Sequence, residues 1–500
     1  MSDLPVVLPP YIVLKSSDNK YLVNDSHQLP QPDNNLVCTG EDIFSKYAKL
    51  EVVSANVGEG RVHLRCCYNK KYLRVFSQSN SYIYALADEP EEDTGTWACT
   101  LFEPLSVEAN NPKRIRLRHV QRGNYACYWK TSEARRGLVT DYSVHDHQGC
   151  DIYTVTDWES LVVLPKHVAF KGDNGKYMSL HREQDWLHWY VVFDSIDKGN
   201  PAAWFEVTTT PDGYAQIRSH EADDLLLWTD IEDTYITGRR DENASKSSRE
   251  SLFWPVKIDN KNTVALRSAL NNKICTRVGE GSRAEECYLH ALHPTVVAAS
   301  HLKVEELVLN RRIYNPVFHL DQAVIYGQTP ISMATARNIN NGTTENTVAI
   351  PLSYTQSQSS TWNFAQSTTE GISAGISIGI PEIGLGGEIS VSRRTTQSYE
   401  WGSTITNENT IATTYTVLVA PGESVSVSLL ATKGYCDVPF SYFQRDILYT
   451  GETVIYKKDD GLFTGVNAYD FQYETDKLSL TPSQKHLIET TITGAARIVF

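Results

Sequence analysis

The chain reads as an all-β protein in three parts, and three features of its 500 residues predict this. Twenty-seven tyrosines and ten tryptophans stand against three methionines, a bias toward pleated, aromatic-lined surfaces. A pattern of about fifty residues recurs through the first three hundred. Beyond it comes a Ser/Thr/Gly-rich stretch in which apolar residues occupy every second position, the period of a strand.

Each copy of the repeat is an alternating strand ending in a basic residue, then a polar turn, then an aromatic or aliphatic residue opening the next strand. Arg65 precedes Tyr72 by seven positions, and the same interval separates Arg118 from Tyr125, Arg218 from Leu225 and Arg267 from Ile274. Two copies, Lys15 to Tyr21 and Lys171 to Tyr177, are shorter by one. The connecting segments Asp18-Asn19-Lys20 and Asp173-Asn174-Gly175-Lys176 carry hairpin turn chemistry. A unit of this size cannot bury its apolar face alone, so three copies close into one domain. The shorter copy type recurs after Asp157-Trp158, which places one domain at residues 5–157 and a second at 158–305, with a third at 306–500.

From Ile372 the apolar positions are Ile372, Ala374, Ile376, Ile378 and Ile380, with Ser373 and Ser377 between them. After Pro381-Glu382 the phase reverses to Ile383, Leu385, Gly387, Ile389 and Val391, interleaved with Glu388 and Ser390. A turn at Pro381-Glu382 then sets Ile380 opposite Ile383, Ile378 opposite Leu385, Ala374 opposite Ile389 and Ile372 opposite Val391. The expectation is a hairpin over about 371–392 with an oily face and a polar face. The same register places Glu370 opposite Arg393 and Trp362 opposite Trp401. Proline fits no position of a two-residue type I′ turn, so a wider loop reaching Ile383 or Gly384 is the alternative.

A net charge of −14 argues against nucleic acid as a partner, because such binding rests on clustered Lys and Arg. The opening MSDLPVVLPP has no basic region and no sustained apolar stretch, so it does not read as a secretory signal, and the expected location of the soluble form is cytoplasmic. No run of about 18 apolar residues offers a membrane helix. Nine cysteines, an odd number including the adjacent Cys66 and Cys67, read as reduced thiols rather than a disulfide framework. His145, Asp146, His147 and Cys150 read as a polar surface loop, because a zinc site needs two well-spaced ligand pairs; no metal or cofactor is expected. The sequons at Asn24, Asn243 and Asn341 are read as unused. GxSxG, HExxH and Walker loops are missing, and Gly384-Leu385-Gly386-Gly387 lacks the Lys-Ser/Thr ending of a phosphate loop, so no enzyme is expected.

Lys71-Tyr72-Leu73, Ala87-Asp88-Glu89-Pro90 and Trp97 to Pro104, with Leu252-Phe253-Trp254-Pro255 as a later counterpart, resemble the amaranthin family of plant agglutinins over about residues 5–305. The resemblance implies two tandem β-trefoil lectin domains that bind galactose and N-acetylgalactosamine, including the Galβ1-3GalNAc disaccharide. It places the sugar contacts at Asn80, Ser81 and Tyr82, and at Asp233, Thr234 and Tyr235 in the second domain. Ser81 and Thr234 depart from the family by standing where a larger, often aromatic, residue is found. An amide can pair with sugar hydroxyls, and a flat ring covers the apolar face of a pyranose. Residues 306–480 resemble aerolysin-like domains by pattern, and the pairing of agglutinin with aerolysin-like parts is known among plant proteins. That resemblance implies a homo-oligomer that inserts a β-barrel. Ile372, Ala374, Ile376, Ile378, Ile380, Ile383, Leu385, Ile389 and Val391 would face lipid, with Ser373, Ser377, Glu388 and Ser390 facing the lumen. The alternative is a non-lytic cytoplasmic stress lectin whose third domain serves oligomerisation only.

Overall fold

The computed structural model describes residues 4–25, 35–108, 111–128, 137–146, 148–182, 189–221, 225–240, 248–259, 262–279, 287–364, 379–391 and 404–479. The described residues fall into two compact units, one within 4–311 with 446–454 and one within 312–364, 379–391, 404–445 and 455–479.

The first unit begins with β1 (Leu4–Pro5), β2 (Tyr11–Ser16), β3 (Tyr21–Asp25), β4 (Asn35–Gly40), β5 (Leu50–Ser54), β6 (Val62–Cys66) and β7 (Tyr72–Ser77). It continues with β8 (Asn80–Ala87), β9 (Leu101–Glu108), β10 (Asn111–His119), β11 (Asn124–Tyr128), β12 (Leu138–Tyr142) and β13 (Tyr153–Asp157). Six of these close a ring by antiparallel pairing in the order β2, β5, β6, β9, β10, β13 and back to β2. The other strands form three hairpins, β3–β4, β7–β8 and β11–β12. Their second strands meet through Asn35 opposite Tyr84, Tyr82 opposite Val139 and the Val37–Gly137 bridge. A six-strand ring capped by three hairpins is a β-trefoil. Its interior is apolar, with Leu14, Leu64, Ile83, Phe102, Ile115 and Leu138 all buried.

The arrangement repeats in β14 (His167–Lys171), β15 (Tyr177–Arg182), β16 (Trp189–Ser195), β17 (Phe205–Thr209), β18 (Ala215–Ser219) and β19 (Leu226–Thr229). It is completed by β20 (Ile236–Arg239), β21 (Phe253–Lys257), β22 (Thr263–Ser268), β23 (Ile274–Gly279), β24 (Cys287–His293) and β25 (Leu302–Glu306). Here the ring runs β14, β17, β18, β21, β22, β25 and back to β14. The hairpins β15–β16, β19–β20 and β23–β24 form the cap.

The spacing of the repeat now has a physical meaning. Lys15 lies directly opposite Tyr21, Arg65 opposite Tyr72, Arg118 opposite Tyr125, Lys171 opposite Tyr177 and Arg267 opposite Ile274. In the fifth copy Arg218 pairs with Leu226, one residue beyond the expected Leu225. Each basic side chain therefore crosses onto the residue that opens the capping hairpin. Three place their charge over the ring, at 5.2 Å for Lys15 and Tyr21, 5.5 Å for Arg65 and Tyr72 and 5.1 Å for Lys171 and Tyr177. The turns are tight because Asn19 and Gly175 accept positive φ, 59° and 76°.

Within this unit Asp212 Oδ1 receives both Lys15 Nζ and the Tyr21 hydroxyl at 2.8 Å. Arg311 forks onto Asp446 at 2.7 Å through Nε and Nη2, and reaches Glu306 at 2.5 Å. Burial works against the charge of Arg311, but the two carboxylates hold its pKa above the ordinary value.

The expectation of reduced thiols throughout is corrected at one pair: Cys127 and Cys150 form a disulfide across 23 residues. The ring brings β11 beside the segment before β13, setting the two Cα atoms 5.1 Å apart, within bridging range. Sequence spacing gave no sign of this approach. The other seven cysteines form no disulfide.

The second unit is built on β26 (Val308–Phe318), β27 (Val324–Ile339), β28 (Asn346–Phe364), β29 (Pro381–Ile383), β30 (Ile389–Val391), β31 (Thr404–Val419), β32 (Glu423–Leu448) and β33 (Thr453–Ser479). Six strands form one sheet in the order β26, β32, β33, β28, β31, with β27 also on β32. An unbroken ladder joins β28 to β31 from Asn346–Val419 to Thr361–Thr404. That register is two residues away from the expected one, which set Trp362 opposite Trp401. A shift of two keeps every side chain on its face, so alternation alone could not tell the two apart. Trp362 is fully buried among Phe318, Phe440 and Phe463.

Candidate functional site

Asn80, Ser81 and Tyr82 open β8, directly after the turn at Gln78 and Ser79. Asn80 Oδ1 accepts the Tyr82 N–H at 3.0 Å, and the Ser81 carbonyl accepts the Thr140 hydroxyl at 3.1 Å. One acceptor lone pair of the Asn80 amide is thus used on its own turn, leaving the NH2 as the group to offer a ligand. Tyr82 is half-buried against the trefoil core. Gly137 lets its ring lie close, since a Cβ there would sit 2.8 Å from Tyr82 Cδ1.

Asp233, Thr234 and Tyr235 occupy the equivalent place in the second trefoil. Tyr82 lies two residues before Tyr84, which pairs with Asn35; Tyr235 lies two before Thr237, which pairs with Tyr190. Asp233 Oδ1 accepts the Tyr235 N–H at 3.2 Å, repeating the Asn80 turn, and Thr234 takes φ 66°. The surroundings differ. Tyr235 packs against His290 at 3.8 Å between ring centroids, Tyr190 at 5.3 Å and Tyr288 at 5.7 Å. This aromatic nest was not foreseen, because its members come from three hairpins. The two sets stand on separate trefoils and do not form one site.

The polar loop at His145 and Asp146 is organised by Asp146 Oδ2, which accepts the Gln148 and Cys150 N–H groups at 2.9 Å. Among the described residues no three His, Cys, Asp or Glu side chains are grouped to hold a metal. His63 bridges Thr100 Oγ1 at 2.7 Å and Glu92 at 3.2 Å, an order that resembles a nucleophile–base–acid chain. Thr100 is wholly buried and bonds the Glu91 carbonyl and N–H, so the set braces the loop before β9.

The hairpin departs from its expected form. Ile372, Ser373, Ala374, Ile376, Ser377 and Ile378 lie outside the described residues. Beyond them Pro381 is in a strand rather than a turn: Pro381 pairs with Val391, Glu382 with Ser390 and Ile383 with Ile389. The expected partners of Ile383, Ile389 and Val391 are therefore corrected, and Leu385 stands in the loop, 86% exposed. The loop spans Gly384 to Glu388, closed by Gly384 N–H to Glu388 O at 2.7 Å. Gly386 and Gly387 supply the positive φ, 70° and 80°, that proline cannot. Glu388 and Ser390 are exposed. Ile380 and Ile383 are buried with Trp362, Phe440, Phe463 and Tyr469, and Ile389 packs against the same cluster. Asn467 and Asp470 bond the backbone of this tip, 84 residues away in sequence, a separation that hid them from sequence reading.

No curated protein sequence matches the chain. Among solved structures, a mosquitocidal holotoxin is 12% identical over 63% of this chain, which spans only 37% of that one, with a TM-score of 0.28. The hemolytic lectin CEL-III is 10% identical over 93% of both chains, TM-score 0.25. An aerolysin-like protein from Bombina maxima is 12% identical over 34% of this chain and 99% of its own, TM-score 0.24. Residues 3–157, the first trefoil, match the agglutinin domain family.

Proposed function

We propose that the chain is a lectin for galactose- and N-acetylgalactosamine-type glycans that assembles into homo-oligomers on glycosylated membranes and inserts a β-barrel, in a plant defence role. The observation that carries the lectin half is the agglutinin match over residues 3–157, with Asn80, Ser81 and Tyr82 at the cap of that trefoil. The Asn80 amide would meet a sugar hydroxyl and the Tyr82 ring the pyranose face. Asp233, Thr234 and Tyr235 are the corresponding contacts in the second trefoil. Residues 371–392 are the inserting hairpin. Ile372 to Ile380 extend over nine residues, close to the ~9 to 11 that a tilted membrane strand needs. Closure of several hairpins into a ring satisfies the backbone groups that lipid cannot. Ile372, Ala374, Ile376, Ile378 and Ile380 would face lipid, and Ser373, Ser377, Glu388 and Ser390 the lumen. The soluble form is cytoplasmic and carries out no catalysis.

One observation favours a second reading, the non-lytic stress lectin: Ile380 and Ile383 are core residues, 4% and 2% exposed. A glycan array followed by vesicle leakage separates the two. A pore former releases dye from vesicles bearing its best ligand; a lectin alone agglutinates them and releases none.

A further inference from the structure

The tip of the hairpin is strapped to the sheet by two polar side chains of one strand. Asn467 on β33 is 7% exposed, and its amide meets both backbone groups of Ile383. Oδ1 accepts the Ile383 N–H at 3.1 Å and Nδ2 donates to the Ile383 carbonyl at 2.8 Å, as a neighbouring strand would. Three residues on, Asp470 Oδ1 accepts the Gly386 N–H at 2.8 Å from a backbone held at φ 50°. Gly434 on β32 makes the close approach possible, since a Cβ there would meet Ile383 Cδ1 at 3.1 Å and Tyr469 Cε1 at 3.0 Å.

These three bonds differ in kind from the packing around them. Moving Ile380 or Ile383 from a protein core into hydrocarbon exchanges one apolar surrounding for another, so the hydrophobic contribution nearly cancels. Bonds to Asn467 and Asp470 are lost outright on departure, and the backbone groups they satisfied must find strand partners before entering lipid. We propose that Asn467 and Asp470 form a clasp that sets how readily the hairpin tip leaves the sheet. This rests on the pore-forming reading, and its first test does not require that reading to be right.

Hydrogen exchange on the full chain in solution reads the clasp directly. In Asn467→Leu, which keeps the branching of the side chain and loses both bonds, the Ile383 and Gly386 amides should exchange roughly tenfold faster than in the parent. Asp470→Gly keeps the left-handed backbone and should quicken Gly386 by a smaller factor, while Asp470→Asn, which retains an acceptor, should stay near the parent. Amides of the β28–β31 ladder should be unchanged in all three, which verifies the fold. Parental exchange at Ile383 and Gly386 in both Asn467→Leu and Asp470→Gly would overturn the clasp. On vesicles bearing terminal N-acetylgalactosamine, Asn467→Leu should shorten the delay before dye release several-fold. An unchanged delay despite faster exchange would overturn its role as a threshold. Should the parent release no dye, the pore-forming reading falls, and the exchange rates alone decide whether the clasp holds the tip.

Discussion

The two trefoils and the long-stranded sheet solve the same problem in opposite ways. Every ring strand of a trefoil has two fixed neighbours, so closure leaves no edge and permits one register. In the sheet, β31 has β28 as its one paired strand among the described residues, and the pair is laced by hydroxyls such as Thr361 with Thr404 and Ser359 with Thr406. Short polar side chains on both strands specify register weakly. Closure fixes the register of every ring strand; an open sheet leaves other pairings within reach.

The largest effect should come from the apolar cluster of the sheet. Phe440→Ala removes a wholly buried ring in contact with Trp362, and should cost about 3–5 kcal/mol in denaturant unfolding of that unit. Binding to galactose-coated beads should persist. Parallel loss of both would show that lectin and sheet unfold as one.

Next comes acid sensitivity, where the trefoils differ from each other. His119, one residue beyond the Arg118–Tyr125 pair, corresponds to Ser268, one beyond Arg267–Ile274. Burial lowers the His119 pKa to about 4, opposed by its bond to the Cys99 carbonyl and aided by Arg122. The fold holds the neutral ring. Its contribution is present above the unfolded value of about 6.5 and is lost as pH falls toward 4, on the order of 3 kcal/mol. His119→Ser should flatten the loss of stability between pH 7 and pH 4.5, measured by denaturant midpoints. An unchanged slope would mean that other groups carry it.

A comparable contrast is expected at the sugar sites. Tyr82→Ala and Asn80→Ala should each weaken bead binding about tenfold with the fold intact. Tyr235→Ala should lower the melting temperature more than it weakens binding, because that ring is wedged among Tyr190, Tyr288 and His290. The smallest effect is at the repeat's basic residues: Lys171→Gln should cost about 0.5–1 kcal/mol by removing its charge from the face of Tyr177.

How much could be read from sequence follows the same division. Five of the six basic residues pair as their spacing predicted, because the motif is local and each copy repeats the same hairpin entry. The all-β class and the turns at Asn19 and Gly175 were visible for the same reason. In the third part alternation identified strands, but it has a period of two and cannot separate registers two residues apart. The misfit of proline pointed to a wider loop reaching Ile383 or Gly384, but not to its position at Gly384 to Glu388, where Gly386 and Gly387 are left-handed. Cys127 with Cys150 and Asn467 with Ile383 are contacts between distant segments, and single-sequence spacing contains no trace of them.

Dye release from vesicles is the decisive test of glycan-targeted pore formation, with the intact chain added to bilayers that either carry or lack terminal N-acetylgalactosamine. Release is expected from the sugar-bearing vesicles alone, with its loss in Ile378→Arg, which places a charge costing ~2 to 4 kcal/mol per chain on the lipid face while sugar binding persists. Agglutination of sugar-bearing vesicles with their dye retained, or full release by Ile378→Arg, would contradict it.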